Sequence, residues 1–471
     1  MRPSPSVKTP VAIATEIYAV VFGLFLGLAI WKFGNPVILD HVITAPASWQ
    51  DALGQAWPLH WANSLMAVLA VIGAALVLAN PFRWPGSRWL LALPLVWLAW
   101  QFLSAALSPY KDLTVPTLWQ YAGCAAAYFL GALLMGRQRG WRLVLLGVLA
   151  GFALCLVRAV DQKVFEFPNE KQFLVESQGM GWTNVPPATL QELRRESIVV
   201  KTNGVDIANP AIIAKYNKGR VQGTLIYANA LAGVVLLLCP VAVVMVWQIT
   251  RKLRRPVCLA AVGLAVFLSA AGLFWSGSKS GWLIALAVGV FWLCRLKWSR
   301  QLKWLLVIGL LGGGLVIFGL RFQSYFARGA TSVGARFDYW NVAARVAINH
   351  PAFGSGPGTF QPPPQSQKRP DAEMARLAHN DYLEQFSDSG LVGGLTYLAW
   401  IALLLGTLGR RVWTEGGWLE FGIFAGLLGW FLQGFIEFSL FIPALAWTAF
   451  TLAGCLLARL GNQVDKSGEP A

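Results

Sequence analysis

Four ionisable side chains stand at the edges of long apolar runs: Arg220 in KGRVQGTLIYANALAG, Lys279 in WSGSKSGWLIAL, Arg336 in ARFDYWNVAARVAINHP and His379 in AHNDYLEQFSDSGLVGGLTYLAWIALLLG. A neutral imidazole can take the proton from an attacking hydroxyl near physiological pH, which makes His379 a candidate general base. An arginine grips phosphate oxygens in a planar fork and a lysine acts as a point charge, so these cations could together stabilise a diphosphate leaving group without a metal. Each group also has a plainer reading. A loop histidine that orients the following helix is the commoner arrangement, and basic residues at membrane interfaces commonly snorkel. Against snorkelling, the short loops on this side carry only Lys32, Lys111 and Lys279. The small residues of GSKSG would also let an anion approach closely.

The neighbours of these groups are polar. Asn380, Asp381 and Glu384 follow the histidine, with Asp381 placed as a helix cap and Asp381 and Glu384 on one side of the first turns. Glu437, in QGFIEFSLFIPA, is a lone acid near a helix end that pairs with a cation or reaches water. His41, His60 and His350 sit in turns or at a helix start and are weaker candidates, and Glu16 reads as structural. GSGPGTF, residues 354–360, lacks the preceding strand and the GK[ST] ending of a phosphate loop and reads as a turn. The sequence shows no metal-ligand spacing, and its six cysteines fall inside apolar runs without a disulfide framework.

The elements that must position these groups are membrane spans. Of 471 residues, 56% are hydrophobic and 13% charged, a balance foreign to ordinary globular domains. A hydrocarbon core of about 30 Å needs about 20 apolar helical residues. Twelve segments qualify, near 11–33, 60–80, 88–108, 116–136, 141–160, 224–248, 255–274, 281–298, 303–320, 389–408, 417–435 and 439–460. The expected fold is therefore an all-α polytopic membrane protein with about twelve transmembrane helices and two long outer loops.

Charge sets the orientation. With both termini cytoplasmic, the inner segments carry 19 of the 38 basic residues against three acids, and everything else balances at 19 and 19. The net charge of +16 is thus entirely a positive-inside excess, and it argues for a bilayer rather than nucleic acid as partner. The first apolar stretch reads as a retained helix, not a cleaved signal. This divides the chain into a five-helix part at 1–160, an outer loop at 161–222, helices six to nine at 223–320, a second outer loop at 321–388, and helices ten to twelve with a cytoplasmic tail at 389–471. The first loop holds a short helix near 188–197, and the second an interfacial amphipathic helix marked by Phe337, Trp340, Ala344 and Ala347. Neither loop is apolar enough to build its own core. Arg220, Lys279, Arg336 and His379 all come to the outer face.

From about 218 to 458, roughly half the chain, the sequence resembles the bacterial O-antigen ligase and polymerase superfamily. The motifs are RVQGTLIYANALAG, SGSKSGWL, RFDYWNVAARVAINHPAFGSGPGTF and AHNDYLEQFSDSGLVGGLTYL, the last two in this order and separation being fairly specific. The resemblance implies a GT-C-like glycosyltransferase architecture in the inner membrane with a periplasmic active site, and no cofactor. It implies a metal-independent, inverting transfer of a glycan from undecaprenyl diphosphate to an acceptor hydroxyl. The family's first essential arginine falls on Arg220, its histidine on His379 and its motif asparagine on Asn229. Its second arginine falls on Lys279, which keeps the charge but loses the fork, so that either phosphate binding differs or another residue such as Arg336 contributes.

Three acceptors fit the superfamily: lipid A-core for a ligase, a growing glycan for a polymerase, and protein hydroxyls for an O-oligosaccharyltransferase. A lipid-linked glycan flippase or transporter is a reading of a different class. It requires charged or broken helices at mid-membrane, whereas the centres of these spans carry almost no ionisable residue. A membrane scaffold would leave both long loops and their cations without a role.

Overall fold

The computed structural model describes residues 10–80, 84–137, 140–327, 331–360 and 376–467. Arg2, Lys8, Arg83, Arg139 and most of the proline-rich stretch after Phe360 lie outside these. In chain order the helices are α1 (Pro10–Lys32), α2 (Trp49–Gly54), α3 (Leu59–Leu78), α4 (Arg88–Leu107), α5 (Lys111–Leu133) and α6 (Gly140–Asp161). Then come α7 (Phe167–Gly179), α8 (Pro187–Arg195), a hairpin of β1 (Val199–Thr202) and β2 (Val205–Ala208), and α9 (Pro210–Lys218). The rest is α10 (Ala228–Thr250), α11 (Arg255–Ser276), α12 (Lys279–Arg295), α13 (Arg300–Ala327), α14 (Thr331–Asn349), α15 (Asp381–Thr414), α16 (Trp418–Gln433) and α17 (Pro443–Ser467).

Each of the twelve expected spans coincides with a helix. Among the described residues nine are long and apolar enough to cross a bilayer: α1, α3, α4, α6, α10, α11, α13, α15 and α17. The other three expectations fall on α5, which opens with charged and polar residues, and on α12 and α16, whose 17 and 16 residues make shorter rods. At 1.5 Å per residue those two are about 24–26 Å long.

Close helix packing rests on small residues, because lipid supplies no hydrophobic force between spans. The α1–α6 pair shows how tight the approach is. A Cβ on Gly147 would lie 2.2 Å from the Gly23 carbonyl carbon, and one on Gly27 would lie 2.3 Å from the Gly147 oxygen.

The 161–222 region departs from the expected loop. Helix α6 continues through a wider π turn, Gln162–Glu166, straight into α7, with Pro168 tolerated in the first turn of α7. The hairpin β1–β2 pairs Val199 with Ala208 and Thr202 with Val205 across a turn at Asn203 and Gly204, both at positive φ. Leu174, Trp182, Val185, Val199 and Ala208 are buried together, so this region does have a small core.

Helix α15 is broken. Gly390 has φ +68° and ψ −167°, which frees backbone groups of the turn before it. The GSGPG loop takes them up: Ser355 N donates to Ser387 O (3.0 Å) and Gly356 N to Asp388 O (2.8 Å). Gly358 N donates to the Asp388 carboxylate at 2.7 Å. The loop thus serves as the cap of a broken helix, in keeping with its reading as a turn. The expected tenth span, 389–408, matches the part of α15 after the break, while Asp381, Glu384 and Asp388 are buried in the part before it.

The close α1–α6 approach gives a stability test. Gly147→Val should destabilise the detergent-solubilised protein by about 1–3 kcal/mol or more through overpacking. Gly263→Ala, where nothing lies within 4 Å of the added carbon, should leave it unchanged or slightly stabilised. Thermal unfolding of the two variants checks the difference.

Candidate active site

The turn between α16 and α17 carries Glu437, whose side chain is 2% exposed. Its Oε1 accepts from Arg336 Nη2 (2.6 Å) and Asn229 Nδ2 (2.7 Å). Its Oε2 faces His379 Nδ1 at 3.3 Å and accepts from the Tyr227 hydroxyl. An ionised carboxylate offers about four lone-pair sites, and these donors occupy them. Burial pushes the Glu437 carboxyl upward and the nearby Arg220 charge pulls it back. The filled acceptor set and the Arg336 ion pair favour the carboxylate form.

His379 sits in the left-handed region with φ +52°, a conformation uncommon outside glycine and a mark of local constraint. The constraint comes from both sides. Asn380 caps α15, its side chain accepting from Tyr382 N (3.1 Å) and Leu383 N (2.9 Å), and the His379 carbonyl accepts from Trp340 Nε1 at 3.5 Å. The imidazole lies against the rings of Phe438 and Tyr339, with centroids 4.8 and 6.0 Å away. Burial, reinforced by the Arg336 charge, lowers its pKa to about 4. The ring is therefore neutral near pH 7. With Nδ1–H directed at Glu437, Nε2 keeps the lone pair.

Asp381 is not the helix cap expected from sequence; it is already the first helical residue, and the neighbouring Asn380, with extended backbone (φ −161°, ψ 101°), stands where a cap must to accept from the first-turn N–H groups. The Asp381 carboxylate instead accepts from Leu440 N at 3.2 Å. Its own N–H donates to Gly434 O (2.7 Å), which locks the start of α15 to the α16–α17 turn.

Arg220 is held by the C-terminal end of α11: its Nε donates to Ser276 O (2.7 Å) and its Nη2 to Asn229 Oδ1 (2.7 Å). Asn229 therefore links Arg220 to Glu437. Burial lowers the Arg220 pKa, offset by Glu437 and deepened by Arg336. Lys279 opens α12 behind the Ser278 cap and lays its Nζ 3.8 Å from the centroid of the Tyr325 ring, a cation–π contact. Arg220, Lys279 and Arg336 line one cavity of about 370 Å³, together with Asn229, Ser280 and Tyr325. His379 stands behind this cavity, connected to it through Glu437 and Trp340.

Sequence reasoning singled out the three cations and the histidine but missed Tyr227 and Tyr325, and named Trp340 only as part of a helix face, not as a neighbour of His379. It also mis-set the face of α14. The helix begins at Thr331, and Tyr339, Val342, Ala343 and Val346 form its buried face with Ala378, while Phe337 is 60% exposed. His41 lies by Arg376 at 3.4 Å, His60 opens α3, and His350 ends α14; none joins the cluster on Glu437. Among the described residues there is no group of three or more His, Cys, Asp or Glu side chains placed to hold a metal.

The family model described as O-antigen ligase matches residues 264–398, which bears out the resemblance read from the sequence. The match spans Lys279, Arg336 and His379, while Arg220, Asn229 and Glu437 lie outside it. A comparison with curated proteins finds no match.

The Arg336–Glu437 pair can be tested by a double-mutant cycle. Glu437→Gln and Arg336→Met should each cost about 3–5 kcal/mol by leaving a buried partner unpaired. The double variant should cost clearly less than their sum, read by thermal unfolding, whereas additive losses would mean the pair is not coupled.

Proposed function

Because the chain carries an O-antigen ligase domain over residues 264–398, we propose that it transfers a glycan from an undecaprenyl-diphosphate donor to an acceptor hydroxyl at the periplasmic face of the bacterial inner membrane. The acceptor in this reading is lipid A-core, and all twelve apolar helices span, with both termini cytoplasmic. The observation that carries it is the convergence of Arg220, Lys279 and Arg336 on one cavity, with Glu437 joining Arg336 to the imidazole of His379.

In the proposed step the acceptor oxygen attacks the anomeric carbon from the face opposite the diphosphate. The new C–O bond forms as the bond to the leaving diphosphate oxygen breaks, so the configuration inverts. The acceptor proton passes to His379 Nε2, and Glu437 holds Nδ1–H and stabilises the imidazolium that forms. The departing diphosphate gains negative charge, which Arg220 and Arg336 meet with directed N–H groups and Lys279 with a point charge. These cations supply the electrostatic stabilisation that a divalent ion provides in other phosphate-releasing enzymes, so EDTA should not slow the reaction.

Two experiments with purified protein and lipid-linked donor test this reading. His379→Ala should lower kcat by about 10²–10⁴. The base is active only when deprotonated; burial and Arg336 lower its pKa while the Glu437 carboxylate draws it partly back, so the acid limb of wild-type activity should lie below the ordinary histidine value; an acid limb at the ordinary value would contradict the buried, neutral imidazole. For the cation site, Lys279→Ala should abolish most transfer and Lys279→Arg should retain it, while full activity in Lys279→Ala would remove Lys279 from the site.

A further inference from the structure

A second and larger cavity, about 610 Å³, opens beside the first, between the end of α1, α2, the α6–α7 junction and residues 222–226. We propose that this groove binds the sugar chain of a substrate, which rests on the reading of the neighbouring site as a glycan transferase.

The groove is joined to the site by the chain itself. Arg220 and Asn229 meet at the cation cavity, and the segment between them loops out to form one wall of the groove. Gln222 is two residues from Arg220, at most about 7 Å of extended chain. The wall is fixed from behind: Gln162 Oε1 accepts from Gln222 N (3.0 Å) and Gly223 N (2.9 Å), and Thr224 Oγ1 donates to Ile30 O (2.6 Å). It is a preformed surface.

Its chemistry suits a saccharide. A sugar ring has a face of C–H groups that lies flat on an indole and a rim of hydroxyls that need directed partners. Trp31 and Trp49 offer indoles, Trp49 being 71% exposed. Asn35 is 2% exposed and lines the groove, and among the described residues its Nδ2 has no hydrogen-bond partner. A buried donor left unpaired is costly, and a hydroxyl entering the groove would satisfy it once the amide turns toward the groove. Gln50 and Gln222 add amides. The charged lining residues, Arg158 and Glu166, pair with each other at 2.5 Å, and the adjoining Lys32 ammonium donates to the carbonyls of Leu53 and Gln55, so among the described residues the groove offers no free positive charge for a second phosphate. A lipid tail would leave the Asn35 amide unmet. An anchoring role for the tryptophans alone would likewise leave it unexplained.

The sugars could belong to the donor glycan or to a glycan acceptor, and the test separates them. Oligosaccharides released by mild acid from the host's surface polysaccharide are titrated against the full chain in nanodiscs by calorimetry. Trp49→Ala and Asn35→Ala should each weaken binding about tenfold, with unchanged thermal stability for the exposed Trp49 variant. In turnover, a fall of about tenfold in the ratio of kcat/KM for a long-glycan donor over a single-sugar donor assigns the groove to the donor. A similar rise in KM for the acceptor alone assigns it to the acceptor. Wild type and both variants binding the oligosaccharides equally, or none binding at all, would overturn the proposal. Because the titration needs no catalysis, intact binding in a chain that fails to transfer would sink the transferase reading and leave the groove standing.

Discussion

The carboxylate of Glu437 is the constraint on which the arrangement depends. A buried charge is tolerated only when partners surround it, and this one draws its donors from Tyr227 and Asn229 at the start of α10, Arg336 on α14 and His379 before α15. Satisfying one acid therefore pins several elements, distant in sequence, to the turn between α16 and α17. It also sets the chemistry of the histidine by fixing which ring nitrogen carries the proton. Glu437 lies beyond the matched segment 264–398, as do Tyr227 and Asn229 before it, so the cluster draws on helices to both sides of that segment.

A second constraint keeps His379 in place from the other direction. The break at Gly390 would leave backbone groups of α15 without partners, and the glycine-rich 354–358 loop supplies them. Ser104 Oγ lies within hydrogen-bonding distance of Phe353 O (2.6 Å) and Asp388 O (2.9 Å) and shares its single proton between them, tying α4 to the same junction. Trp97 and Gln101 of α4 both donate to Gln385 Oε1, at 2.8 and 3.0 Å. Most of the polar first half of α15 is thus held inside the protein by paired groups, Glu384 being bonded through one carboxylate oxygen to Ala378 N. That is how so many polar residues can sit in a helix that continues into an apolar span.

How much of this was legible follows the same physics. The apolar helices were readable because about 20 consecutive apolar residues have few other solutions. The cations were readable because topology alone brings Arg220, Lys279 and Arg336 to one end of the bundle. The start of α15 was legible to within one residue, but its burial was not, since Asp381, Glu384, Gln385 and Asp388 read as part of an outer loop until their buried partners are known. The passage of α6 into α7 was hidden by FPNEK, which reads as a chain leaving the membrane. The hairpin was available in VVKTNGVDIA, where Asn-Gly between β-branched residues is a strong turn signal, and it was overlooked. Tyr227 could not be singled out, because its partner Glu437 is 210 residues away. Pairing across that distance leaves no local pattern.

The most direct measurement of the central claim is a cryo-EM map of the protein with undecaprenyl diphosphate bound. The account predicts diphosphate density in the cavity among Arg220, Lys279 and Arg336, with His379 Nε2 facing the position of the acceptor hydroxyl, on the other side of the anomeric carbon from the diphosphate. Diphosphate density elsewhere, or a histidine ring turned away from Glu437 in the bound state, would contradict it.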